Sequence, residues 1–114
     1  MAKRPIDLRP QAADALRVLG DQIREARRAL GWTASELADR TGITQRTVLA
    51  IEAGKPGTAI GNVFNAAITA GVPLFGVEDR YEMARLRRRG EEMLALLPQR
   101  VRAPHTDDED ASDF

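Results

Sequence analysis

The chain of 114 residues is long enough for one domain of ordinary size, and its 43 % hydrophobic content is typical of a soluble globular protein. It has no cysteine and a single histidine, which excludes disulfides and thiolate metal sites and argues against a histidine-based metal enzyme. The net charge is zero, but the last nine residues carry five acidic side chains, which leaves 17 basic and 12 acidic residues over 1–105. A basic body with an acidic tail suggests a protein that binds nucleic acid.

Other classes of function find little support in the residues. No apolar run approaches the roughly 20 residues that a membrane-spanning helix needs, and the N-terminus lacks the apolar segment of a secretory signal. We therefore expect a cytoplasmic protein without a membrane partner. No nucleophile–base set, metal cluster or phosphate-binding loop is present, so the sequence predicts neither an enzyme nor a bound cofactor or metal.

Proline, glycine and charge divide the chain into zones. We expect an N-terminal arm over 1–15, a helical domain over 16–75, a helical or short-strand extension over 76–102, and an acidic tail over 103–114 that is disordered when alone. Aromatic residues make up only 4 % of the chain, which favours packed helices over a sheet. The predicted fold class is all-α, with about five helices.

The first predicted helix carries an apolar stripe at spacings of three and four and ends at Gly31. Its members are Leu16, Leu19, Ile23, Ala26 and Leu30. Pro10 suits the first position of a helix. A second helix is predicted after Thr33, because Thr33 and Glu36 have the spacing of a capping box, and it ends at Gly42.

Three further helices follow in the pattern. Thr44 is a good N-cap for a third helix, and a fourth is predicted over about Ile60 to Ala70, followed by a short apolar segment at 72–75. The fifth repeats apolar residues at the same spacings and ends at Pro98; they are Met83, Leu86, Gly90, Met93 and Leu97. That stripe suits either a core or half of a dimer interface. The arginines at 85, 87, 88 and 89 point around most of the helix, so their role stays open.

The segment from Thr33 to Ala53 combines two short helices with the turn Thr-Gly-Ile-Thr between them. Gly42 can adopt a positive φ angle without steric penalty, which turns the chain sharply. We expect Ile43 to fill the angle between the two helices. The predicted inner faces consist of Leu37, Ala38, Val48 and Ile51.

The strings IREARRALGWTASELADRTGITQRTVLAIEAGKPG and GNVFNAAITAGVPL resemble the lambda-repressor-like, or XRE, helix-turn-helix family. The resemblance runs from Ile23 to Leu74, and several motif positions match together. It implies a lambda-repressor-like helix-turn-helix bundle and a transcriptional repressor that binds double-stranded DNA as a homodimer. In such a protein the second helix of the motif lies in the major groove.

Carried over position by position, the resemblance implies that Gln45 and Arg46 contact base edges, with Thr47 and Ala50 on the same side of the helix. The implied phosphate contacts are Thr33, Thr44 and Lys55. Ala34 stands where the family usually has a Gln that touches phosphate or base, so this contact is missing. Glu52 matches the acidic residue of the family's I-E-x-G pattern, which is more often structural than base-reading.

A narrower resemblance concerns three short segments. GKPGTAIGN, LPQRVR and DDEDASDF resemble parts of HipB-type antitoxins. This implies a HipA-like Ser/Thr kinase toxin as partner, with Phe114 as an anchor that orders on binding. The alternatives are a stand-alone XRE-type regulator, a toxin-neutralising interaction protein with secondary DNA binding, and a tail that serves only solubility.

Overall fold

The computed structural model describes residues 5–100, so the predicted acidic tail and Phe114 lie outside the described residues. The helices are α1 (Pro10–Ala29), α2 (Ala34–Thr41), α3 (Gln45–Glu52), α4 (Ile60–Ala70) and α5 (Arg80–Ala95). Residues 5–100 contain no β-strand, and an isolated antiparallel bridge joins Leu74 to Val77. The predicted all-α class with about five helices is confirmed, and the extension after residue 76 is helical.

The chain divides into two units, with the boundary between Glu78 and Asp79. The first unit contains α1 to α4, and α1 includes residues 10–15 of the predicted arm. Within this unit α1 and α2 each pack against both α3 and α4. Each motif helix therefore packs against a helix outside the motif: α3 packs against α1, and α2 packs against α4.

The core of the first unit consists of aliphatic side chains and alanine. Its buried members are Ile23, Ala34, Leu37, Ala38, Val48, Ile51, Val63, Ala66, Ala67, Ala70, Val72 and Leu74. All four predicted inner residues of the motif are among them, while Ile43 is half-buried in the turn. The predicted stripe of α1 is buried only in part, since Ile23 is fully buried but Leu30 is 49 % exposed.

The helix boundaries follow the local signals in the sequence. The hydroxyl of Thr33 accepts a hydrogen bond from the backbone N–H of Glu36 at 3.1 Å, and the Glu36 carboxylate accepts one from the N–H of Thr33 at 2.8 Å. This is the predicted capping box of α2. The hydroxyl of Thr44 accepts from the N–H of Thr47 at 3.1 Å and starts α3. α4 ends at Gly71, whose φ is 89°.

We expect the capping box to make the stability of the first unit depend on pH. The backbone N–H of Thr33 holds the pKa of the Glu36 carboxyl below its ordinary value, with smaller contributions from the Thr33 side chain and Arg40. A group whose pKa is lowered by folding stabilises above its unfolded pKa, and this stabilisation is lost as the pH falls through the folded pKa. We expect Glu36→Gln to be less stable than the parent at neutral pH.

The difference between the two proteins should shrink on acidification, because a protonated glutamate resembles glutamine. Urea unfolding of both proteins from about pH 7 to about pH 3 measures it. A difference in unfolding free energy that stays constant over this range would contradict the expectation.

The segment after α4 forms a tight turn. The predicted apolar segment 72–75 leads into this turn, in which Leu74 pairs with Val77 and the two residues between them have positive φ angles. Phe75 has φ 56°, which is uncommon for a bulky residue. Its ring packs edge-on against Phe64, with 6.0 Å between the ring centroids, and this contact helps to hold the turn.

α5 is the helix of the second unit. Asp79 caps it by accepting hydrogen bonds from the N–H groups of Tyr81 and Glu82. The helix ends at Ala95, before the predicted stop at Pro98, and none of its residues is buried. An exposed ion pair joins Arg87 to Glu91 at 3.0 Å, a kind of contact that contributes little to stability.

Two negative findings apply to residues 5–100. No helix there is both long enough and apolar enough to cross a bilayer. The same part of the chain contains no group of three or more acidic or histidine side chains arranged to hold a metal ion.

Candidate nucleic-acid interface

The turn between α2 and α3 is closed by the end of α2. Gly42 has φ 85°, and its N–H donates to the carbonyl of Ala38 at 2.8 Å. The N–H of Ile43 donates to the same carbonyl at 3.0 Å. One carbonyl accepts both bonds and the backbone of Gly42 is left-handed, so the chain turns away from the axis of α2. α3 starts at Gln45, three residues after Gly42.

α3 has an inner and an outer face. Val48, Ile51 and Glu52 are buried on the inner face. The outer face, which we define by the exposed residues of α3 and its C-cap, consists of Gln45, Arg46, Leu49 and Ala53. The two side chains predicted to contact base edges therefore project from the first turn of α3 into solvent, where a ligand can reach them.

The other two predicted base contacts are less accessible. Thr47 is half-buried, and its hydroxyl shares a 2.9 Å hydrogen bond with the hydroxyl of Thr44. Ala50 is also half-buried. Contact of Thr47 and Ala50 with bases stays a prediction, and the structure shows that the Thr47 hydroxyl already belongs to the cap of α3.

The predicted phosphate contacts lie at helix ends. Thr33 and Thr44 are the exposed N-caps of α2 and α3, where unpaired backbone N–H groups and the helix dipole favour anions. Lys55 is exposed just beyond α3, and its backbone N–H donates to the carbonyl of Ala50 at 3.0 Å. The structure thus brings Thr44 together with Gln45 and Arg46, whereas Thr33 starts a different helix and Lys55 follows the other end of α3.

A buried ion pair joins the C-terminal end of α3 to α1. Glu52, 2 % exposed, accepts hydrogen bonds from Arg27 through both carboxylate oxygens, at 2.7 Å from Nε and 2.9 Å from Nη2. Such a two-point contact is stronger and more directional than a single bond. The Glu52 carboxylate raises the pKa of the Arg27 guanidinium above its ordinary value. Arg24, which is partly exposed, adds a longer contact to Glu52 at 3.4 Å.

The ion pair connects three parts of the first unit. Arg27 lies on α1, Glu52 is the last residue of α3, and Nη1 of Arg27 donates at 2.9 Å to the carbonyl of Trp32 in the α1–α2 connection. One guanidinium therefore holds the end of α3 against α1 and the start of the motif. The ion pair therefore fixes the position of α3 from its inner side and leaves the outer face of α3 exposed.

Sequence reasoning foresaw a structural role for Glu52 but did not find its partner. A signal was available, since Arg27 follows Ile23 by four residues and so shares the inward face of α1. Ala34, which stands where the family usually has a contacting Gln, is buried in the first turn of α2.

Part of the chain is similar to known proteins. Residues 23–76 match the family model described as helix-turn-helix. A segment of 33 residues is 52 % identical to an uncharacterised HTH-type transcriptional regulator of Methanothermobacter thermautotrophicus. That segment covers 29 % of this chain and 48 % of the relative, so the match spans about half the relative's length. The family match includes every residue of α2, the turn and α3.

Proposed function

From the match of residues 23–76 to the helix-turn-helix family model, we propose that the protein is a sequence-specific transcriptional repressor that binds double-stranded DNA. The observation that carries the proposal is the outer face of α3, on which Gln45 and Arg46 are exposed at the first turn. Glutamine pairs with adenine and arginine with guanine through two hydrogen bonds each. The major groove, about 12 Å wide, admits one helix.

Two exposed helix N-termini and a basic side chain also support the proposal of DNA binding. Phosphates are bound by N–H groups at helix starts and by basic side chains, and these contacts position a protein without reading sequence. Thr33, Thr44 and Lys55 are exposed and have this chemistry. In the proposed complex they fix the register in which α3 enters the groove.

Arg46→Ala tests the proposed reading directly. Duplexes selected from a random pool by the full chain provide the ligand, and fluorescence anisotropy compares a selected duplex with a scrambled one. The variant should lose about 1–3 kcal/mol on the selected duplex and little on the scrambled one. Lys55→Ala is the matched control with the same loss of charge, and it should weaken both duplexes by a similar factor and flatten the salt dependence. Undiminished discrimination in Arg46→Ala would show that another residue reads the bases.

We also propose that the repressor acts as a homodimer. Two recognition helices one DNA turn apart read a two-fold symmetric site, which a single α3 cannot do. The exposed apolar side chains of α5 and of the residues just after it, among them Leu86, Met93 and Leu97, are available for a contact between copies. Sedimentation of the full chain and the symmetry of the selected DNA test this point together.

A narrower proposal concerns the partner. We propose that the protein is the autoregulating antitoxin of a type II pair with a HipA-like Ser/Thr kinase. Its support is the resemblance of GKPGTAIGN, LPQRVR and DDEDASDF to HipB-type proteins; the last segment, with Phe114, lies outside the described residues. In this proposal the protein binds both DNA and a kinase.

Deletion of residues 103–114 separates these roles. The truncated chain should keep its affinity for the selected duplex, because every proposed DNA contact lies between residues 33 and 55. It should lose association with the kinase encoded next to it, measured by co-purification. If no such kinase is encoded or the truncation binds it unchanged, the protein is a stand-alone regulator or the tail is not the anchor.

A further inference from the structure

Leu49 is an apolar side chain in the middle of the outer face of α3. It is 47 % exposed, whereas its neighbours Val48 and Ile51 are 0 % and 4 % exposed. At about 100° per residue, Leu49 lies about 40° from Gln45 and about 60° from Arg46 around the helix, between the two and one turn further along. An approach that brings Gln45 and Arg46 to the bases therefore brings Leu49 to them as well.

Leu49 does not belong to the buried core. The core of the first unit is filled by the inner face of α3, and Leu49 is not part of it. An isolated exposed leucine on a protein surface is ordinary. Its position here is distinctive, because it stands between two exposed side chains that carry hydrogen-bonding groups. The surface it offers to a ligand is apolar at the centre and polar on both sides.

In the major groove, one unmodified base presents an apolar group. Thymine has a C5-methyl at the groove edge, whereas cytosine presents a donor and the purines present acceptors or an amino group. A leucine pressed against a cytosine amino group would leave that donor without a partner, which is costly. Against thymine the same leucine removes a methyl group from water, which is favourable.

We propose that Leu49 is a specificity-determining residue that packs against the C5-methyl of a thymine in the bound DNA. The proposal rests on the proposed function, since it requires α3 in the major groove. Leu49 lies about 6 Å along the helix axis from Gln45, so the thymine belongs to a base pair near those contacted by Gln45 and Arg46. In the proposed complex, three neighbouring side chains of α3 recognise bases. Gln45 and Arg46 do so through hydrogen bonds, and Leu49 does so through contact with a methyl group.

The test replaces each thymine of a selected duplex, one at a time, by deoxyuridine, which lacks only the C5-methyl. The full chain should bind one of these duplexes about three- to fivefold more weakly than the parent duplex. Leu49→Ala should bind that duplex and its parent equally. Leu49→Met should keep the sensitivity, because methionine has a similar volume and can make the same contact. Leu30→Ala, with a leucine of nearly equal exposure just after α1, is the control and should also keep it.

Three results would overturn the assignment while leaving DNA binding intact. They are a selected site without thymine, a full chain that is indifferent to every deoxyuridine, and a Leu49→Ala variant as sensitive as the parent. If the random pool yields no enriched sequence, the proposed function itself fails and the assignment fails with it. Leu49 is exposed, so its substitution should change folding stability by no more than about 0.5 kcal/mol, which thermal unfolding verifies.

Discussion

Replacement of Glu52 by glutamine is expected to lower the free energy of unfolding by about 3–5 kcal/mol. The substitution keeps the shape of the side chain but removes the negative charge from a buried pair. Arg27 is 8 % exposed and would then hold a positive charge in the interior without a counter-charge. Domains of this size are commonly stable by only about 5–15 kcal/mol, so the loss would be a large share of the total.

Two controls separate the buried pair from surface charge. Arg24 contacts the same carboxylate at 3.4 Å, but its side chain is 43 % exposed, so Arg24→Gln should cost less than about 1 kcal/mol. The double variant Arg27→Met with Glu52→Leu removes both charges and should recover much of the loss, because apolar replacement of a buried pair is often neutral or stabilising. Urea unfolding followed by circular dichroism measures all three. A loss below about 1 kcal/mol for Glu52→Gln would refute the role given to the pair.

Gly20→Ala is expected to destabilise the first unit by about 3 kcal/mol. A Cβ at this position would lie 2.6 Å from the carbonyl oxygen of Ile51 and 2.7 Å from that of Glu52. Both are backbone atoms at the end of α3, and they cannot move aside without shifting that helix. In an open helix the same change is favourable by about 0.5–1 kcal/mol, so the steric clash decides the sign.

Gly61 on α4 provides the matched control. A Cβ added to it would have no atom of a neighbouring element within 4 Å, and its φ is not positive. Gly61 lies in the first turn of α4, so Gly61→Ala should stabilise the protein through helix propensity by less than about 0.5 kcal/mol. Thermal unfolding of the two variants should show shifts of opposite sign. A Gly20→Ala variant as stable as the parent, or more stable, would mean that α1 does not approach the end of α3 so closely.

Helix boundaries were predictable because their causes are local. The capping box at Thr33 and Glu36 and the cap at Thr44 need only residues within one turn. Gly42 and Gly71 end helices because each adopts a left-handed backbone that other residues resist. The start of the motif, its turn and the start of α3 therefore follow from the sequence.

Contacts between distant residues were not predictable in the same way. Arg27 and Glu52 are 25 positions apart, and the close approach of Gly20 to Ile51 depends on how α1 lies across α3. Periodicity shows which residues share a face, but not how far a neighbouring helix extends along it. Leu30 illustrates this, since the stripe places it inward and yet it is 49 % exposed.

The candidate site was predictable in part. The resemblance placed Gln45 and Arg46 at the start of α3, and the structure shows both exposed there. Leu49 escaped notice because an apolar residue in a helix is ordinarily assigned to a core. The positive φ of Phe75 was not predictable either, since turn preferences favour glycine or asparagine at such a position; the ring of Phe75 packs edge-on against Phe64.

The inner face of α3 serves folding and the outer face is exposed to ligands, so substitutions on the two faces have different effects during evolution. The inner face determines whether the chain folds, through Val48, Ile51 and the pair of Glu52 with Arg27. Residues 45, 46 and 49 add little to folding, because surface substitutions of this kind usually change stability by no more than about 0.5 kcal/mol. Under the proposed function, a few outward changes after gene duplication would therefore give one copy a new target sequence while its scaffold remains intact.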